Sequence, residues 1–102
     1  MKVLIMIVHS NSQQDLADLL RSHKQIQGFT FSHVEGHGVQ EVHDPFLSAR
    51  DKVVGYVPRV RVDILLDDGH VDTVLESVRT ISKTGSEMGV FWVNDVQYSG
   101  RL

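Results

Sequence analysis

The chain reads as an α+β domain of order βαββαβ: a four-stranded antiparallel sheet with two helices on one face. Three observations predict it. Four short segments run apolar or alternate at strand length. Two segments repeat apolar residues at helical spacing. Turn chemistry separates the six in an order that splits two βαβ units. The 102 residues suit a single domain covering 1–102.

The elements follow in order. Val3 to Val8 is a continuous run rich in Val and Ile, too short for a helix and suited to a buried strand. Asn11 or Ser12 is placed to cap the helix that follows, where Leu16, Leu19 and Leu20 share a stripe. Asp15 and Asp18 near its start and Arg21, His23 and Lys24 near its end complement the helix dipole. Residues 29–35 alternate: Phe29, Phe31, His33 and Glu35 on one face, Thr30, Ser32 and Val34 on the other. Tyr56 to Leu66 is a long third strand, with Val60, Val62 and Ile64 opposed to Arg59, Arg61, Asp63 and Leu65. Pro58 sits near its beginning, where a missing N–H is tolerable. Asp67-Asp68-Gly69 breaks the strand, and Val71, Val74, Leu75, Val78 and Ile81 then mark a helix over about His70 to Ser82. Val90 to Val96 is the fourth strand.

Two helices cover only one sheet face. Apolar residues on the other face need burial, and a small acidic protein most simply supplies it with copies of itself. The net charge of −3 argues against a broad nucleic-acid surface. No apolar run is long enough to span a bilayer, and the opening run lacks the cleavage signal of a secreted leader. With no cysteine there is neither disulfide nor thiolate metal site, which fits a cytoplasmic location.

Between the second and third strands lie 19 residues, HGVQEVHDPFLSARDKVVG, without clear periodicity. Loops of that length in a compact domain are usually functional. The loop opens on GHGVQ, and two glycines there suggest either a strand end needing positive φ or a backbone that a ligand approaches closely.

Three stretches carry a resemblance to the PII signalling superfamily. GHGVQ resembles its G-x-G-x-Q motif at the base of the long T-loop. VPRVRVDILLDDGHVDTVLESV resembles the segment that resumes after that loop, and FWVNDV resembles the fourth strand. The resemblance covers nearly the whole chain in the same order. It implies a ferredoxin-like protomer, a homotrimer whose sheets line the centre, and a nucleotide-type ligand at clefts between subunits. The T-loop, here about 37–55, would report occupancy to a protein partner. By position, Gly36, Gly38 and Gln40 would line the cleft edge with Thr30 close to its base, and Arg59 would stand where the family places a phosphate-contacting lysine.

The departures are specific. The family's phosphate loop, T-G-x-x-G-D-G-K, is represented by TGSEMGV, with Glu87 where phosphate prefers a base. The tail is cut to VQYSGRL, leaving Arg101 for the family's two arginines. That tail, with the GFT…GHG opening, resembles a narrower branch often encoded beside heavy-metal efflux pumps. A membrane transporter is then the implied partner.

Six histidines in this length invite a metal reading. His33 and His37 share one face of a regular strand, but at ~3.3 Å per residue they stand about 13 Å apart. One ion with nitrogens near ~2.1 Å needs a bulge or a curling loop to gather both, with His43 and a nearby carboxylate joining. Zn, Cu or Ni would suit such imidazoles. The plainer reading leaves all three solvated. His9 ends the first strand and either faces the cleft or, as is more common, is a strand-end histidine with a backbone partner; Asp67, Asp68 and Asp72 read as capping and solvating charges. No G-x-S-x-G, H-E-x-x-H or P-loop pattern occurs, and no nucleophile has an identifiable base, so a non-enzymatic role is expected. Three classes remain: a nucleotide sensor, a divalent-metal protein of metal homeostasis, and a ligand-free trimeric adaptor.

Overall fold

Strand β1, Lys2–His9, takes the first apolar run and becomes central to the sheet. A single 3-10 turn, Ser10–Ser12, leads into helix α1, Gln13–Ser22. Strand β2 is Phe29–Gly36, β3 is Val57–Leu66, and β4 is Gly89–Asp95. Helix α2, Val71–Arg79, follows a second 3-10 turn at Asp68–His70. This computed structural model describes residues 1–37, 57–81 and 88–102. The predicted loop at about 37–55 lies almost entirely outside the described residues.

The strands lie in the order β2-β3-β1-β4, each pair antiparallel. With the helices this is a ferredoxin-like α+β arrangement. The register decides which side chains share a face, because directly opposed residues point the same way. Leu4 lies opposite Ile64, Met6 opposite Val62 and Val8 opposite Val60. Phe29 and Phe31 extend that row onto β2, opposite Ile64 and Val62. Leu16 and Leu20 of α1 and Val71, Val74, Leu75 and Val78 of α2 close over it as one core. Fully burying a side chain of this size contributes about 1.5–3 kcal/mol. The two helices are also joined directly: His23, at the end of α1, places Nε2 3.1 Å from Ser77 Oγ on α2. The dipole alone therefore does not account for that histidine.

The other face has no helix. Val3 faces Leu65, Ile5 faces Trp92 and Ile7 faces Val90 across the ladder, so all six side chains stand on this side. Ile5 is buried, but Leu65, Trp92 and Val90 keep 43%, 40% and 59% of their surface exposed. Beside this apolar half, Arg61 clasps Asp63 through two hydrogen bonds of 2.9 and 3.1 Å, with Ser32 and Thr30 opposite on β2. The Asp63 carboxylate raises the Arg61 guanidinium further above its ordinary value. Strand β4 is exposed along its whole length, and even on the helix side Arg79 lies over the Phe91 ring at 5.9 Å.

The expected cap at Asn11 or Ser12 is not made by a side chain. Ser12 already has helical dihedrals, φ −88° and ψ −5°, because the 3-10 turn has coiled the chain before α1 begins. A capping serine needs extended backbone to reach the free amides. The expected second helix over His70 to Ser82 is shorter: it begins at Val71, after the 3-10 turn, and stops at Arg79, where the Thr80 and Ile81 amides bond the Ser77 and Val78 carbonyls at 3.1 Å.

Candidate functional site

Four described chain ends meet at one edge of the sheet. β1 finishes there at His9, β2 at Gly36, β3 begins there at Val57, and β4 begins at Gly89. The antiparallel ladder forces this convergence. Gly36 lies opposite Val57, Val34 and His9 flank Arg59 from either side, and Val8 lies opposite Gly89.

Arg59 organises the edge. It projects onto the open face between β2 and β1. A Cβ on Gly36 would lie 2.6 Å from Arg59 Cγ and 3.2 Å from its Nε, so the arginine stem occupies the space that any other residue at 36 would fill. The guanidinium reaches His9, where Nη1 donates to the ring nitrogen Nδ1. His9 is only 8% exposed, the one buried polar residue among those described. Its backbone amide bonds the Met88 carbonyl at 3.3 Å, as a strand-end histidine should, but its ring serves Arg59. Gly89 has a different reason for being glycine. A Cβ there would stand 2.0 Å from the Ile7 carbonyl oxygen, so β4 joins β1 at this edge only through close backbone approach.

Gly36 and Arg59 are thus brought together, and Gly36 is required for side-chain room rather than for positive φ. Thr30 is not in this group within one copy. It lies at the other end of β2, opposite Asp63, about 20 Å along the strand from Gly36 at ~3.3 Å per residue. Arg101 is also remote in the protomer. β4 runs away from the edge to Asp95, and the Val96 amide bonds the Met1 carbonyl at 3.1 Å before the exposed tail departs. Gly38, Gln40 and His43 lie outside the described residues.

The histidines do not assemble a metal centre among the described residues, where no three His, Asp or Glu groups gather. His33 is exposed and opposite Val60, and His37 Nε2 lies 3.5 Å from Glu35 Oε2 with both side chains mostly in solvent. The far edge of the sheet carries ordinary surface electrostatics. The Met1 amine lies 2.7 Å from Asp68, and Lys2 pairs with Asp95. The hydrogen bond from the amine holds the Asp68 carboxyl below its ordinary value, against slight burial and with help from Lys2. Lys2 is pushed up, first by its bond to Asp95 and then by the charges of Asp68 and Asp95.

Sequence reasoning missed the ring contact of His9. The two partners stand 50 residues apart, and only the β1–β3 register brings them level.

A split-βαβ protomer with this strand order is a ferredoxin-like fold. The family profile described as nitrogen regulatory protein P-II matches residues 1–102, and the chain belongs to that family. Among similar proteins, the nitrogen regulatory protein GlnK of Escherichia coli K12 is 29% identical over 85 residues, 83% of this chain and 75% of that protein. The nitrogen regulatory protein P-II of Rhizobium meliloti is 32% identical over 60 residues, 59% of this chain. The chain matches about half the length of that rhizobial relative, 54%. Among solved structures, a DUF3240 family protein from Shewanella baltica OS155 superposes with a TM-score of 0.78 at 16% identity, covering 99% of this chain and 94% of the other. That likeness carries the fold.

Proposed function

We propose that the chain is a homotrimeric, cytoplasmic sensor that binds an adenine nucleotide at clefts between copies and passes occupancy to a protein partner. The observation that carries the reading is Arg59, a cation held over Gly36 at the edge from which the segment about 37–55 departs and to which it returns. An anion bound there lies beside Gly36 and Val57, which flank that segment. Ordering about ten loop residues costs on the order of 10 kcal/mol of backbone entropy, so only a ligand contacting the loop biases it.

The bare sheet face supports the trimer. Leu65, Val90 and Trp92 are too large and too closely grouped to leave in water. A neighbouring copy packed there also gives Thr30 and Arg101, remote within one protomer, a route to the cleft. Gly38 and Gln40 join Gly36 and Arg59 as its near wall. The partner is a membrane transporter, by the resemblance to proteins encoded beside efflux pumps. The chain itself does not insert, and among the described residues no helix is long and apolar enough to cross a membrane.

Thermal melts with ATP, ADP and Zn²⁺ test the reading. A nucleotide present at 100 times its Kd adds about 2.7 kcal/mol to the native state. The shift should appear with ATP or ADP and vanish in Arg59→Ala. A stable trimer that responds to no nucleotide is instead the ligand-free adaptor. A shift with Zn²⁺ alone, lost in His37→Ala, reverses the reading toward metal.

A further inference from the structure

We propose that residues 97–102 pair as a fifth strand on the outer edge of β2 in a neighbouring copy. The inference takes from the reading above only that copies associate, and it adds which segment each copy lends to the next.

The tail has the pattern of a strand but no sheet. Apolar Val96, Tyr98 and Leu102 alternate with polar Gln97, Ser99 and Arg101, and Gly100 falls in step on the apolar side. A period of two marks a strand with one side wet and one side buried. Yet once the Val96 amide has bonded the Met1 carbonyl, none of residues 97–102 hydrogen-bonds another described residue. Tyr98 stands 94% exposed.

Among the described residues, the outer edges of β2 and β4 have no paired strand. The two edges are not alike. β4 is apolar on both sides, with Phe91 and Val93 on one and Val90 and Trp92 on the other, and would set the tail's polar residues against apolar neighbours. β2 is two-sided, as the tail is. Phe29 and Phe31 lie on its helix side, packed against the core but only partly buried, and Thr30 and Ser32 lie on its open side. Added there, the tail lays Tyr98 beside the phenylalanines and Gln97 and Ser99 beside the hydroxyls. Its amides and carbonyls then pair the free edge of β2.

That edge must belong to another copy. The tail leaves from β4, at the opposite border of the sheet from β2. A position outside β2 is four strand spacings away, about 19 Å at ~4.8 Å each. Crossing it at ~3.3 Å per residue takes about six residues and leaves none of 97–102 to pair. A segment that leaves one border and pairs the other makes a head-to-tail contact, the kind from which closed rings are built.

The chain has no cysteine, so disulfide trapping reads this contact without interference. Ser99→Cys is combined in one chain with Thr30→Cys or Ser32→Cys, on the open side of β2, or with His33→Cys, on its helix side. All three β2 positions are exposed, so access favours neither side. Covalent oligomers on a non-reducing denaturing gel should be several-fold more abundant for the open-side pairs, and Tyr98→Cys should reverse that preference. Equal yields on both sides, no oligomers, or a link closed within one chain overturns the proposal. Separately, Tyr98→Asp should weaken self-association about tenfold by sedimentation, while Gln97→Asp leaves it unchanged. A Tyr98→Asp profile like the native one also overturns it, since that side chain already stands in water in a single copy. A native chain that sediments as a monomer ends the assembly reading and this inference together. A trimer without these links leaves the assembly standing and sinks the tail contact alone.

Discussion

The two faces of the sheet are made from the same kinds of side chain and meet opposite fates. On one, Leu4, Met6, Val8, Val60, Val62 and Ile64 are closed off by α1 and α2. On the other, Val3, Ile5, Ile7, Leu65, Val90 and Trp92 are similarly apolar, yet this chain alone covers them only in part. Apolar patterning therefore reports that a surface is to be buried, not what will bury it. The continuous run Val3–Val8 is unusual in an antiparallel sheet, which normally alternates when one side meets water. β1 is apolar on both sides and lies in the middle of the sheet, between β3 and β4.

The largest expected effect comes from breaking the closed face. Leu4→Ala should cost about 2–5 kcal/mol of unfolding free energy, read by denaturant titration. Leu65→Ala on the open face should cost far less in protein dilute enough to keep copies apart. Equal costs would mean the faces do not differ as described. Next, Trp92→Glu places a charge on the open face. It should weaken self-association by more than tenfold, above about 1.4 kcal/mol, with far-UV circular dichroism unchanged. A sedimentation profile identical to the native one would remove this face from the assembly.

The smallest effect lies at the edge far from Arg59, among exposed charges. Asp68 is held below its ordinary value of 3.8, so its contribution is present above that value and lost as pH falls through the depressed one. Lys2 is held above its ordinary 10.5, so its contribution is complete below 10.5 and lost as pH climbs through the raised value. Both are solvent-screened, and the effect is slight. The Tm gap between the native chain and Asp68→Asn should close as pH drops below about 4. A gap that stays constant through that range assigns Asp68 no role.

What could be read from residue order was what depends on near neighbours. Alternation put Phe29 and Phe31 on one face of their strand and Val60, Val62 and Ile64 opposite Leu65; the register agrees and shows that both sets face the core. Strand limits came within a residue or so, as with Val3 to Val8 against Lys2–His9. The second helix was overextended mainly past Arg79, because Ile81 keeps the apolar stripe in step after the backbone has left the helix at Thr80. Gly36 could be recognised as special without its cause. A strand-end glycine suggests conformational freedom, whereas its actual constraint is the stem of Arg59, 23 residues further along the chain. Arg59 entered only through resemblance, and His9 as a strand end with a backbone partner. Their contact depends on a ladder that no local pattern encodes.

The central position of β1 also sets a timetable for synthesis. Of the four strands, the one made first is the one whose partners, β3 and β4, are made last. At about 5–20 residues per second, the greasy opening stretch waits several seconds for β3 and longer for β4. Sheet assembly is consequently a late, long-range event, and a nascent chain stalled before residue 57 is the species most in need of a chaperone.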